Sequence, residues 1–494
     1  MINKLCSFIR SLGFIIVGLG SQAAYSQNLN LGPQKTAVIA VKFSATDPDP
    51  LPVAKIRDII FNSATLNSLN AYVKEVSYNQ SSIAGGTSGD VFGWYTLNMS
   101  STCDWLFGGE TVLPVSPTPT NLGTPVLAAA IAAADPFIDF RDYRRIILFQ
   151  PPGTCIPMGI GNVTVNTADG PINASVVWTA GYYGALNDFQ FGMLLQHEGG
   201  HGFGLEHAQA YECGAQAFAA SGCNNSGPPA DPFDRMGLYS LIYSAHYNAF
   251  YKEKIGWLNS TNVFNVTTSG TYTILPLEST TAGYKAIKIP RPNNPTQEAF
   301  YIEYRQPNIG VYDNALPGNA YQGALIRYVP SLQITQSMLI DTTPESMVSS
   351  SDPSLDFQDA ALIPGRTFDG PGFTVRTASA TSSGLTVNVC TDPISIVTTD
   401  GSGESASVNA TLKLEFIGKI SNLVVGSKVT TFKVCQGNLL NYKAIVTAGT
   451  PVCTIDNRVV ASQGVMSVES LRKLYCTNTQ GGGSDKDSFS ISPI

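Results

Sequence analysis

The eleven residues His197-Glu198-Gly199-Gly200-His201-Gly202-Phe203-Gly204-Leu205-Glu206-His207 constrain this chain more than any other stretch. On a helix, His197 and His201 lie one turn apart on the same side, so both imidazoles reach one metal ion. Glu198 sits on the same turn, angled to hold a water on that metal rather than the metal itself. Three residues after His201, Gly204 provides a left-handed residue that ends the helix, a conformation glycine adopts with little strain. The chain then turns back and presents His207 as a third ligand from outside the helix. Three neutral nitrogens with one position left for water describe a catalytic zinc site rather than a closed structural one. The chain has four His in all, and three fall here, which argues against an amphipathic helix that carries His at this spacing by chance.

The stretch resembles the HExxHxxGxxH zinc motif of the metzincin metallopeptidases, whose signature also contains a downstream Met-turn. Asp231-Pro232-Phe233-Asp234-Arg235-Met236-Gly237 fits that turn. Several other stretches are similar to the gametolysin family of secreted metallopeptidases. They are Asn70 to Tyr78, the Met-turn itself, and His246-Tyr247-Asn248-Ala249 leading to Gly256-Trp257-Leu258. Gly270-Thr271-Tyr272, Pro276-Leu277-Glu278 and Tyr301 to Arg305 match its downstream β-region. The resemblance covers roughly residues 35 to 390. It implies an α+β chain, with a metzincin-like zinc peptidase domain followed by β-sandwich-like domains. His197, His201 and His207 would hold Zn2+, with Glu198 as general acid–base and Met236 shaping the floor beneath the metal.

The sequence departs from the family in two places. Gly199 replaces the bulky residue usual after the Glu, and each of the two glycines within the motif helix costs about 1 kcal/mol relative to Ala. Tyr239 lies three residues after Met236, not the two of metzincins whose Met-turn Tyr ligates zinc, so ligation is not assigned to it. Tyr239, Trp178 and His246 are instead candidates for a substrate contact or a structural role. His246, the remaining His, reads better as a group hydrogen-bonded within the fold.

The N-terminus reads as a leader: Lys4 and Arg10, an apolar run from Leu12 to Leu19, and small residues around Ala24 and Ser26 place cleavage before Gln27. The run is shorter than the about 20 residues a bilayer span needs. Removing Cys6 with the leader leaves eight of nine Cys, an even number that reads as disulfides in a secreted or periplasmic protein. Sequence alone does not fix the connectivity, but proximity favours Cys213 with Cys223. Cys103 with Cys155 would staple the first half of the catalytic region, leaving Cys390, Cys435, Cys453 and Cys476 for the C-terminal part. The net charge of −7 and the absence of a basic run argue against a nucleic-acid partner.

At 494 residues, two or three domains are expected. The divisions are a leader over 1–26, a catalytic domain over 27–270, a β-rich domain over 271–391, and a linker with a C-terminal β-rich domain over 392–494. Lys35–Phe43, Arg145–Phe149 and Ala174–Thr179 read as strands. Val53–Val76 and Pro125–Ala134 read as helices, as does the motif segment with Asp188 as N-cap. A further helix closes the catalytic domain after His246, packing Phe250, Ile255 and Trp257 beneath the site. Short runs from Thr271 to Val389 suggest a β-sandwich, Thr399–Ser407 a linker, and Leu412, Leu414 and Phe416 a further strand.

The expected activity is endopeptidase cleavage of extracellular proteins, with the substrate strand adding to an edge strand, for which Ala174–Thr179 is the candidate. Two alternatives remain: a zinc-fold binding or adhesion protein with little turnover, and a zinc hydrolase of a non-peptide amide. An intact Glu198 argues against the first, and the metzincin pattern against the second.

Overall fold

Strand β1 (Gly32–Lys42) runs through the middle of the first sheet, and its alternation explains the layers on either side. Val38 and Ala40 point into one core, Ile39 and Val41 into another, as the two-residue period of a strand buried on both faces requires. The computed structural model describes residues 30–85, 90–99, 125–151, 158–179, 187–219, 221–223, 231–237, 244–291, 297–333, 336–346 and 353–391. In the C-terminal part it describes 394–398, 412–418, 420–421, 431–434, 439–446, 448–468, 470–480 and 483–493. The leader, the Thr399–Ser407 linker, Tyr239, Cys103, Cys155 and Cys435 lie outside these residues.

The helix expected over Val53–Val76 is two helices, α1 (Val53–Phe61) and α2 (Leu69–Val76). Local polar bonds between them end the first and start the second. The Asn62 side chain accepts from the Ala64 N–H at 3.0 Å, and Ser68 caps α2 by accepting from the Ala71 N–H at 3.0 Å. Strands β2 (Ser81–Ala84) and β3 (Val91–Thr96) then pair with successive halves of β1, both parallel. Helix α3 (Pro125–Ala134) leads to β4 (Arg145–Phe149), β5 (Met158–Thr167) and β6 (Gly170–Trp178).

The sheet order is β2-β1-β4-β6-β5, with β3 also on β1. All pairings are parallel except β5 with β6. This corrects the edge-strand expectation: Ala174–Thr179 falls on β6, an interior strand between β4 and β5, and β5 is the edge. The motif helix α4 (Asp188–Gly202) covers one face, burying Phe191, Leu194 and Leu195 beside Val38, Ile147 and Val177. Helix α3 covers the other, burying Leu127, Ala130 and Ile131 with Ile146, Val176 and Trp178.

Beyond the motif, β7 (Ala208–Tyr211) leaves this sheet and joins a second one. Helix α5 (Ala249–Lys254) precedes strands β8 (Val263–Asn265), β9 (Gly270–Ile274), β10 (Ala286–Pro290), β11 (Ala299–Glu303), β12 (Leu325–Val329) and β13 (Ser337–Ile340). The second sheet has the order β7-β13-β12-β11-β10-β8. A third joins β14 (Thr367–Gly370), β15 (Phe373–Thr381) and β16 (Gly384–Thr391) to β9. These two sheets share a core that includes Ile287, Phe300, Ile326, Val375 and Val387, so the region is a sandwich. The alternate residues Ala286, Ala299, Tyr301 and Val329 face the other way, into the core that also holds Phe191 and Leu195. The motif region and the sandwich are therefore packed through common hydrophobic residues.

The C-terminal part contains two further sheets around a separate core, with Leu412, Leu414 and Phe416 buried on one strand. Cys453 and Cys476 sit opposite each other on neighbouring strands and are bonded, and Cys390 is also disulfide-bonded. Among the described residues no helix is long and apolar enough to cross a membrane.

Candidate metal centre

The motif helix starts one residue earlier than the sequence suggested. Asn187 is the N-cap and forms a capping box with Gln190, so Asp188 is the first helical residue. At the other end Gly204 adopts φ 88°, the Gly204 N–H donates to the His201 carbonyl at 2.8 Å, and the Leu205 N–H donates to the Gly200 carbonyl at 3.1 Å. That pair of bonds is a Schellman ending. It leaves the Leu205 carbonyl aimed at His201, whose Nδ1 lies 2.7 Å away. The Nδ1 of His197 lies 2.9 Å from the Arg235 carbonyl. A carbonyl can only accept, so in both rings Nδ1 carries the proton and Nε2 holds the lone pair.

The turn after Leu205 brings His207 to the pair, with its Nε2 3.3 Å from the Nε2 of His201. One nitrogen from each of the three rings lies within 4.8 Å of the other two. Burial pushes all three imidazoles below their ordinary pKa, that of His201 to about 3, and mutual repulsion adds to this for His197 and His201. Neutral imidazoles with converging lone pairs are the form that ligates metal, so the donor set fits a divalent cation.

Glu198 is buried beside the triad, and burial raises its carboxyl to about 8 while a hydrogen bond from the Gly159 N–H opposes the shift. A cation held by the triad would oppose it further. Gly159 belongs to the edge strand β5, which approaches the helix so closely that a Cβ there would meet the Glu198 carbonyl at 2.1 Å.

Met236 fills the notch left by Gly200, where an added Cβ would meet its Sδ at 2.3 Å. The Met-turn is held by its own carboxylates. Asp231 accepts from the Phe233 N–H at 2.9 Å, and Asp234 accepts from the Met236 N–H at 2.7 Å and the Asn248 N–H at 2.7 Å. Tyr247 donates to the Gln196 carbonyl at 2.7 Å and packs against Trp257 under the same helix. At Gly199 an added Cβ would lie 3.0 Å from Cδ1 of Leu69, the far end of a flexible side chain.

His246 and Trp178 do not join the triad. His246 is fully buried, with its Nε2 3.1 Å from the Glu75 carboxylate and its Nδ1 3.0 Å from Lys252 Nζ. It bridges α2 and α5, a structural role. Trp178 is fully buried on the sheet face away from the motif helix, because every second β6 residue points to α3. Sequence reasoning missed Arg145. Buried, it donates to the Gly202 carbonyl at 2.7 Å and lies 3.8 Å over the Phe203 ring, a cation at the negative end of the motif helix. An Arg at the opening of an apolar strand was the only available signal. Arg235 was missed because it acts through its backbone carbonyl, which no residue type announces.

No protein-family model matches the chain, and no curated protein is significantly similar to it. The loop after β7 is closed by a disulfide between Cys213 and Cys223, as proximity suggested.

Proposed function

We propose that the chain is a secreted zinc-dependent endopeptidase with a metzincin-like catalytic region, similar to the gametolysin family. The observation that carries this reading is the convergence of His197, His201 and His207 within 4.8 Å, next to the buried Glu198. Zinc bound there would supply a Lewis acid that polarises the scissile carbonyl and makes a water acidic near neutral pH.

The chain's own residues do the rest. The Arg235 and Leu205 carbonyls hold two ligand rings in the tautomer that leaves Nε2 free. Glu198 takes a proton from the attacking water on its carboxylate and returns it to the leaving amine. As the edge strand beside the helix, β5 is the strand to which an extended peptide would add. The Cys213–Cys223 disulfide and the leader motivate the extracellular or periplasmic location.

The test is a casein digestion with and without a chelator, run beside two variants. Glu198→Ala should keep zinc and lose roughly 10²–10⁴-fold in peptide hydrolysis. His201→Ala should lose metal and activity together. Zinc-loaded Glu198→Ala with parental turnover would refute the proposal. Zinc binding without proteolysis in the parent would favour an adhesion protein or an amidase.

A further inference from the structure

The sheet that follows the motif region does more than pack beside it. Arg327 on one of its strands reaches the turn that supports the metal ligands, and two neighbouring strands bond to Arg327 itself or to the start of α5. Arg327 on β12 is fully buried, and its Nε donates to the Asp231 carboxylate at 2.9 Å. Its Nη1 donates to Glu303 on β11. The other Glu303 oxygen accepts from the Ala249 N–H at 2.6 Å. Ser337 on β13 is bonded to the Asn248 side chain at 2.7 Å.

Asp231 opens the Met-turn, whose far end meets it closely: a Cβ on Gly237 would come 2.1 Å from the Asp231 carbonyl. Within that loop the Arg235 carbonyl accepts from His197, and the Met236 carbonyl accepts from the Ala208 N–H at 3.0 Å, one residue after His207. Ala208 begins β7, paired with Ser337 of β13. Two of the three ligands are thus oriented by a turn and a strand anchored on the downstream sheet.

We propose that Arg327 is a positioning residue for the metal centre, holding through Asp231 the turn that orients His197 and His207, so that residues 271–391 are part of the metal-holding unit. This rests on the reading of the triad as a zinc site. The fork geometry matters: one planar guanidinium spans two carboxylates on different elements, which a lysine ammonium does not reproduce.

The experiment measures zinc affinity of the full chain by competition with a chromophoric chelator, together with the visible spectrum of the cobalt-substituted protein. Arg327→Lys keeps the charge and loses the fork. The double variant Asp231→Asn/Arg327→Gln removes both charges but leaves groups able to hydrogen-bond each other, so no carboxylate is stranded at Asp231. Val387→Ala, in the sandwich core away from the turn, is the stability control. Both Arg327 variants should melt cooperatively, bind zinc about 10–100-fold more weakly and show an altered cobalt spectrum. The control should melt lower with parental affinity and spectrum. An Arg327 variant that melts cooperatively with parental zinc affinity would overturn the proposal, as would an equal loss of affinity in Val387→Ala. A parent that binds no zinc would instead refute the functional reading itself.

Discussion

Replacing Gly199 and Gly200 separately by Ala tests how the motif helix is packed, because the two neighbours face different surroundings. Both changes raise helix propensity by about 1 kcal/mol, so each would stabilise by that amount in free space. At Gly200 the new methyl would lie 2.3 Å from Met236 Sδ and 3.0 Å from the Tyr247 hydroxyl, against roughly 3.5–4.0 Å for an unstrained carbon contact. Met236 and Tyr247 are fully buried, so neither can swing into solvent. Overpacking of this kind costs about 1–3 kcal/mol, and so large an overlap belongs at the upper end. The net expectation is a loss of about 1–2 kcal/mol, or roughly 2–8 °C of melting temperature at about 2–4 °C per kcal/mol. At Gly199 the nearest atom is Leu69 Cδ1 at 3.0 Å. Leu69 and Gly199 both line a cavity of about 10 Å³, toward which the Leu69 side chain can shift. There the propensity gain survives, about 0.5–1 kcal/mol. Urea unfolding of the chelated protein, followed by tryptophan fluorescence, measures both, since Trp257 packs 5.0 Å from Phe203 in the same core. Displacing Met236 should also weaken zinc binding about tenfold through the Arg235 carbonyl. If Gly200→Ala matched the parent, or Gly199→Ala lost more than Gly200→Ala, the packing of Met236 into the Gly200 notch would be refuted.

Replacing Cys213 and Cys223 by Ser should lower stability by roughly 2–3 kcal/mol on a chain-entropy argument, read in the same urea titration; an unchanged midpoint would contradict it. A chain shortened to end at Asp392 should retain cooperative melting and cleavage of small peptides, because its described cores end with the sandwich; loss of activity in a folded truncation would make the C-terminal part necessary. The third expectation concerns acid. Burial raises the Glu303 and Asp313 carboxyls, but Arg305, aided by Arg327 at Glu303 and by His246 at Asp313, outweighs it and holds both below their ordinary values. A depressed folded pKa gives stability that is present above the unfolded value of about 4 and lost as pH falls through the folded one, so the melting temperature should drop on acidification below about pH 4. A melting temperature that stayed flat down to about pH 2 would contradict this.

The sequence made legible those parts of the fold whose causes are local. The Arg145–Phe149 run, the Pro125–Ala134 helix and the glycine stop at Gly204 depend on residues adjacent in the chain, and each lies where expected. The edge strand was not legible. Met158–Thr167 is glycine-bearing and polar at alternate positions, so it carries no apolar run, while Ala174–Thr179 has one because it is flanked on both sides. The break between α1 and α2 was hidden for another reason: the apolar period runs through it, and Asn62 and Ser68 end and restart the helix by side-chain bonds. At the candidate metal centre the convergence of His197, His201 and His207 was legible from spacing. Their orientation was not, because it comes from the backbone carbonyls of Leu205 and Arg235.

The four glycines of the motif helix tie these points together. Gly192, Gly199, Gly200 and Gly202 weaken a helix of 15 residues by about 1 kcal/mol each, so its own propensity does not account for its presence. Three of the four gaps admit a neighbour instead. The Asn67 carbonyl would lie 2.4 Å from a Cβ on Gly192, Met236 occupies the notch at Gly200, and Arg145 lies against Gly202. The helix is therefore held by what packs into it, and those partners come from β4, the Met-turn and the segment before α2. A ligand set mounted on such a helix is only as well placed as those contacts. Metal that binds the folded triad and not the unfolded chain stabilises the whole arrangement by mass action. The glycines that make the helix weak alone also let neighbouring groups come close enough to fix it, which links metal affinity to packing well outside the eleven-residue motif.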